Sequence, residues 1–188
     1  MTISKWIDQI NWGTENRTVI AYHGTNVTRA HKILNEGKFW QSKKEWDWIG
    51  NGIYFWEYAP HRAWEWSRKK FPSDPAVLSV NVALGNCLDL TDTRFTSLLQ
   101  LAYYDLKANE PNLPRNVAKN RALDCKVLNY VVEELRIQGV IVDTVRAPFI
   151  EGKPIYKGAS FYNQSHIQLC VRNDAMIHMS TVIFSNGH

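Results

Sequence analysis

Strand-like and helix-like runs succeed one another along this chain without a repeating strand–helix–strand rhythm, and that order limits the fold more than any motif does. Residues 18–22 (Thr-Val-Ile-Ala-Tyr) are β-branched and aromatic, which predicts a strand. Ala30, Ile33 and Leu34 recur at helical spacing within 27–36, and Gly37 is placed to end that helix in the left-handed region. A polar, Trp-rich loop over 40–50 precedes a buried strand over 52–56. Pro60 suits the first turn of a helix that runs to Lys70 and is stopped by Pro72. A strand over 76–83 follows, then a helix over 94–107 with Phe95, Leu98, Leu99, Ala102 and Leu106 on one face. The polar stretch 109–116 separates it from a second helix over 118–138, closed by Gly139. The remainder reads as an apolar strand at 140–145, an exposed loop at 147–165, a strand at 166–172 and a β-prone run at 176–184. This succession favours an α+β fold, in a single domain over 1–188, and disfavours a doubly wound sheet.

Composition narrows the function classes. Hydrophobic residues make up 45% and charged residues 21%, globular values that exclude a mainly disordered chain. No apolar run approaches the ~18 residues that span a bilayer, and the charged N-terminal stretch does not read as a secretory signal. Cys87, Cys125 and Cys170 are odd in number and far apart, so neither a disulfide framework nor a zinc site is expected, which fits a reducing cytoplasm. The net charge of +4 permits a phosphate-rich partner without requiring one. Its densest cluster, Arg68-Lys69-Lys70, and a looser group at Arg115, Lys119, Arg121 and Lys126 read as solvated surface or as phosphate contacts. Six of the eight Trp lie between 40 and 66, and most of them read as core and pocket wall, with base stacking as the lesser reading. Trp64 and Trp66 cannot share a helix side, because two residues turn about 200°.

Three constellations carry chemistry. Tyr22-His23-Gly24-Thr25 stands at a strand end before a helix. A His there can donate a hydrogen bond to a ribose hydroxyl, and the adjacent Gly admits a flat ligand to the backbone; the same residues also read as a plain strand-to-helix turn. Gly50-Asn51-Gly52-Ile53-Tyr54-Phe55 leads two glycines into an aromatic strand, where Tyr54 and Phe55 point to opposite faces. One ring can line a pocket and stack on a heterocycle while the other enters a core. In Ser165-His166-Ile167-Gln168-Leu169-Cys170-Val171, alternation puts His166 and Gln168 on one face, either towards a ligand or on a half-exposed edge strand.

In this order, these residues resemble the three motifs of the ADP-ribosyltransferase superfamily, in the clade of poly(ADP-ribose) polymerase and diphtheria toxin. Its triad is His–Tyr–Glu, with Asp or Gln as variants. The resemblance places His23, Tyr54 and Gln168 at the three positions, with Gly24, Thr25, Gly52 and Phe55 matching flanking ones. It covers 18–71 and 158–172; nothing in 85–145 maps onto it.

The resemblance implies a split, mixed β-sheet cradle flanked by helices that binds NAD⁺ without a metal. Tyr22, His23, Gly24, Thr25, Gly52, Ile53, Tyr54 and Phe55 would form the NAD⁺ site, with Tyr54 stacked on the nicotinamide ring. It implies mono-ADP-ribosyl transfer to a protein or nucleic-acid acceptor. Small members of the superfamily are often toxins or effectors, in toxin–antitoxin and phage-defence settings, so an antitoxin or immunity partner is a further expectation, and a membrane partner is not. Gln168 carries no charge and is no general base, which removes chain-forming polymerase activity from the expectations. His166, titratable near neutrality, is the alternative third residue, and a carboxylate such as Glu57 or Glu151 is a third candidate. The other readings are an NAD⁺ glycohydrolase, a non-catalytic NAD⁺ or ADP-ribose binding module, and an enzyme resembling RNA 2′-phosphotransferases.

Overall fold

A computed structural model describes residues 15–118, 120–178 and 183–184. The expectations for the N-terminal stretch, for Lys119 and for 179–182 lie outside the described residues. Strand β1 (Glu15–Asn26) leads into α1 (Val27–Glu36), whose N-cap Asn26 accepts from Arg29 N and whose C-cap Gly37 has φ 63°. Next come β2 (Ile53–Glu57), α2 (Pro60–Lys70), β3 (Pro75–Gly85) and β4 (Cys87–Asp89). Two helices follow, α3 (Thr93–Asn109) and α4 (Ala122–Ile137). The chain then adds β5 (Thr144–Phe149), β6 (His166–Val171), a 3₁₀ turn, β7 (Ile177–His178) and β8 (Ile183–Phe184).

The strands form one mixed sheet in the order β4-β5-β6-β2-β1-β3-β7, with β8 also on β3. Only β4 and β5 are parallel. The α+β class expected from the sequence is the one observed.

Some boundaries differ from the expectation. β1 extends well past 18–22, because its whole length from Thr18 to Asn26 pairs with β3. The strand expected at 140–145 runs instead from Thr144 to Phe149, so part of the expected loop is strand. Pro148 is tolerated there because β4 has already ended opposite Arg146, leaving no ladder bond on that side to lose. The second long helix starts at Ala122, since Val117 and Asn120 close a tight turn first. β4 was not foreseen; three residues give no readable period.

Alternation on the strands sorts the core into two faces. On one face Ala21, Phe55, Leu78 and Leu169 pack with Ala30 and Ile33 of α1. On the other, Val77 and Trp56 meet Ala63 and Trp64 of α2, while Leu88, Val145 and Cys170 meet α3 and α4. That second face is therefore covered by α2 on one half and by α3 and α4 on the other. The seam in the sheet is at the same place: β1 and β2 pair in register only at Ala21↔Glu57 and Tyr22↔Trp56.

Candidate functional site

At that seam, beyond Tyr22 and Trp56, the His23 ring stands in for a ladder bond. Its Nδ1–H donates to the Tyr54 carbonyl at 2.9 Å. A carbonyl can only accept, so Nδ1 carries the proton and Nε2 of the neutral ring is an acceptor. Burial lowers the His23 pKa and keeps the ring neutral. The edges of Phe39 and Phe55 hold the ring, at centroid distances of 5.2 and 5.5 Å. The role read from the sequence is thereby inverted: toward a hydroxyl, His23 accepts rather than donates.

A cleft of about 740 Å³ opens here, lined by His23, Gly24, Gly52, Tyr54, His166 and Gln168 among others. Six residues from three separate stretches of sequence thus converge on one concavity of ligand-binding size. An adjoining cavity of about 540 Å³ shares His23 and Gly24 and adds Thr25. Arg29, Lys32, Lys43 and Lys44 stand around that second cavity, and no carboxylate of the described residues lines it. Tyr22, Ile53 and Phe55 line neither. Ile53 and Phe55 are in the α1-side core, and Tyr22 packs against the Trp56 and Trp64 cluster.

The glycines have packing reasons of their own. A Cβ on Gly24 would lie 2.7 Å from the Ala63 carbonyl oxygen of α2, so close approach by the helix requires glycine there without any ligand. A Cβ on Gly52 would meet Cys170 Sγ at 2.4 Å and the Val171 oxygen at 2.7 Å.

Tyr54 is half-buried, and its hydroxyl donates to the Gly50 carbonyl at 2.7 Å, anchoring the ring as a wall of the cleft. Burial raises its pKa, so the phenol stays protonated. Beneath it the thiol of fully buried Cys170 is pushed up to about 12 by burial, which removes thiolate chemistry from this site.

Gln168 faces Trp56 across β2 and β6. Trp48 donates its indole N–H to Gln168 Oε1, and because an indole only donates, this fixes the amide orientation. The NH₂ of Gln168 is left as the donating end. His166 donates Nδ1–H to the Gln164 carbonyl at 2.8 Å, leaving Nε2 as an acceptor; Nε2 is buried and without a partner among the described residues. Burial lowers the His166 pKa, so this nitrogen is a free base at neutral pH.

The carboxylate candidates separate. Glu57 faces away from the cleft: it pairs with Arg146 at 2.6 and 2.9 Å in the opposite face and is 8% exposed. It is thereby removed as a third-position residue. Glu151 does line the cleft, with Glu65, and both are held by Arg62. Arg62, Glu65, Gln164 and Trp48 were not singled out from the sequence. The i,i+3 pair Arg62–Glu65 was a readable helical signal; Trp48 gave none. Five of the six clustered Trp (40, 46, 48, 56 and 66) line the cleft, while Trp64 belongs to the core.

No family model matches the chain. It is 25% identical, in an alignment of 180 positions that covers 83% of each chain, to an uncharacterized protein of Methanocaldococcus jannaschii. Among the described residues no helix is long and apolar enough to cross a membrane, and no group of three or more His, Cys, Asp or Glu is placed to hold a metal ion.

Proposed function

We propose that the protein is an NAD⁺-dependent mono-ADP-ribosyltransferase. The observation that carries this reading is the convergence of His23, Gly24, Tyr54, His166 and Gln168 on one cleft at the sheet seam. The second cavity, ringed by Arg29, Lys32, Lys43 and Lys44, suits the diphosphate. His23 Nε2 would accept from a ribose hydroxyl, and Tyr54 would lie against the nicotinamide.

The chemistry is a displacement at the nicotinamide-bearing ribose carbon. The C–N bond to nicotinamide breaks and nicotinamide leaves with the bonding pair. A lone pair of the acceptor bonds to that carbon, and the acceptor loses a proton. His166 Nε2, unprotonated and without a partner among the described residues, would receive it. Gln168 positions substrate through its NH₂ and supplies no negative charge to the cationic transition state.

A second reading, a non-catalytic NAD⁺ or ADP-ribose binding module, is favoured by one observation. The carboxylates lining the cleft among the described residues are all engaged: Asp47 by the Lys44 amide, Glu65 and Glu151 by Arg62. Incubation with NAD⁺ labelled in the ADP-ribose half, in the presence of total cell protein and RNA, separates the readings. Label in a macromolecule supports transfer. Free ADP-ribose alone means a glycohydrolase, and intact NAD⁺ with measurable binding means a module.

A further inference from the structure

We propose that the acceptor is a single-stranded nucleic acid, lying along a rim of tryptophans and lysines with one unstacked base seated on Trp56, Arg62 and His166. As an acceptor assignment this rests on the transferase reading; as a binding surface it stands on the side chains alone.

Trp56, Arg62 and His166 all line this cleft, and each carries a buried polar atom without a partner among the described residues: Trp56 Nε1, Arg62 Nε and His166 Nε2. Trp56 is 7% exposed, and its ring lies 6.3 Å from that of His166. The Trp56 and Arg62 nitrogens can only donate, and His166 Nε2 accepts because Nδ1 already donates to Gln164. The subsite therefore calls for a group that both accepts and donates. The Watson–Crick edge of every nucleobase does both. A guanidinium offers donors only and a carboxylate acceptors only, so neither satisfies all three atoms, and a carboxylate would also approach Glu65 and Glu151.

The rim supplies the rest of the strand's needs. Trp40, Trp46 and Trp66 are 45%, 53% and 40% exposed around the same opening. Lys32 lies over Trp40 at 5.1 Å and Lys44 over Trp46 at 5.6 Å, so two of these indoles have an amine beside them. Lys69 and Lys70 line the opening as well. An indole to stack a base and an amine to meet the adjoining phosphate are the components of a sequence-tolerant single-strand groove. Of the three carboxylates among the lining residues, two are bound by Arg62, so the cations dominate the field that a polyanion meets.

The test is a titration of the intact chain, followed by tryptophan fluorescence, with an oligonucleotide of about 12 nucleotides, single-stranded and as the matching duplex. Single strand is expected to quench and to bind at least tenfold more tightly than duplex. If three lysines meet phosphates, the logarithmic salt slope is about −2, so affinity falls more than tenfold between roughly 50 and 200 mM salt. The double variant Lys69→Glu/Lys70→Glu is expected to bring the slope to about −0.7, and Trp46→Ala to weaken binding about tenfold. Labelled NAD⁺ is expected to put label on the oligonucleotide. Absence of quenching, equal affinity for duplex, or label on protein alone overturns the proposal. Oligonucleotide binding without NAD⁺ turnover supports the surface and sinks the transferase reading; label on protein without oligonucleotide binding does the reverse.

Discussion

Arg146 and Arg62 each sit between two carboxylates, on opposite sides of the sheet, and they differ in what is left over. Arg146 gives Nε and Nη2 to Glu57 and Nη1 to Asp89, and all three side chains are no more than 12% exposed. Arg62 gives Nη1 to Glu65 and Nη2 to Glu151, whose side chains are 35% and 36% exposed, and its buried Nε has no partner among the described residues. The first cluster is closed and fastens β2, β4 and β5 together. The second lines a cleft and keeps a buried donor unanswered among the described residues, which a purely structural pair has no reason to keep. Completeness of hydrogen bonding separates the two roles better than charge or burial does.

The largest effect is expected from breaking the closed cluster. Arg146→Ala leaves Glu57 buried without its cation and Asp89 with only Arg17, at 3.4 Å, a change that costs about 3–5 kcal/mol of stability. Arg62→Ala lets half-exposed Glu65 and Glu151 rehydrate, so about 1 kcal/mol or less is expected. Urea unfolding of both variants checks the contrast; equal losses would remove it. The closed cluster also responds to pH. Burial works to raise the Asp89 pKa, but hydrogen bonds from Thr91 and Arg146 outweigh it and hold the carboxyl below its ordinary value. Its stabilisation is therefore complete above the ordinary carboxylate range and is lost as pH falls through the lowered pKa.

The next largest effect is on the cleft. His23→Ala removes an acceptor from the substrate and is expected to lower NAD⁺ turnover by about 10- to 100-fold, from a contact worth about 1–3 kcal/mol, in a folded protein. Gln168→Ala is expected to lose most activity. Gln168→Glu keeps an acceptor for the Trp48 indole and places negative charge near the cation, so NAD⁺ hydrolysis is expected to rise. His166→Ala is expected to depress label transfer more than nicotinamide release. If His166→Ala is inactive and Gln168→Ala is not, His166 holds the third position.

Much of this site was legible because alternation on a strand is a strict rule: His166 with Gln168, and Tyr54 opposed to Phe55, fall on the faces that period two assigns. The helix ends at Gly37 and Pro60 were equally legible, since Gly admits the positive φ of a C-cap and Pro fixes the φ of a first turn. The donor direction at His23 was not, because the Tyr54 carbonyl that sets its tautomer lies 31 residues away. The face of Glu57 was legible by the same rule, since it falls with Phe55 and away from Tyr54, but its partner Arg146, 89 residues on, was not. Trp48 sits in a loop with no period, so nothing local marked it as the partner of Gln168.

Smaller effects sharpen the picture. Tyr54→Phe forfeits the bond to Gly50 and about 1 kcal/mol of stability, yet keeps the ring, whereas Tyr54→Ala loses the wall itself. NAD⁺ affinity is expected to fall for Ala and to hold for Phe; if the two match, the ring does not touch the ligand. The smallest effect is in pH. Burial lowers the pKa of both His23 and His166, and the neutral form is the competent one, so the acid limb of the rate profile is expected below about 6.5. The same shifts make the unfolded chain take up protons first, so stability contributed by these rings declines as pH drops below about 6.5 and levels off beneath their folded pKa values.

The most direct measurement is nicotinamide release from NAD⁺ by the purified wild-type chain beside His23→Ala, with circular dichroism confirming that both are folded. Release by wild type that falls about 10- to 100-fold in His23→Ala is the result expected if the seam between β1 and β2 is the NAD⁺ site. Equal release by the two proteins, or none from wild type in the presence of cell protein and RNA, contradicts it.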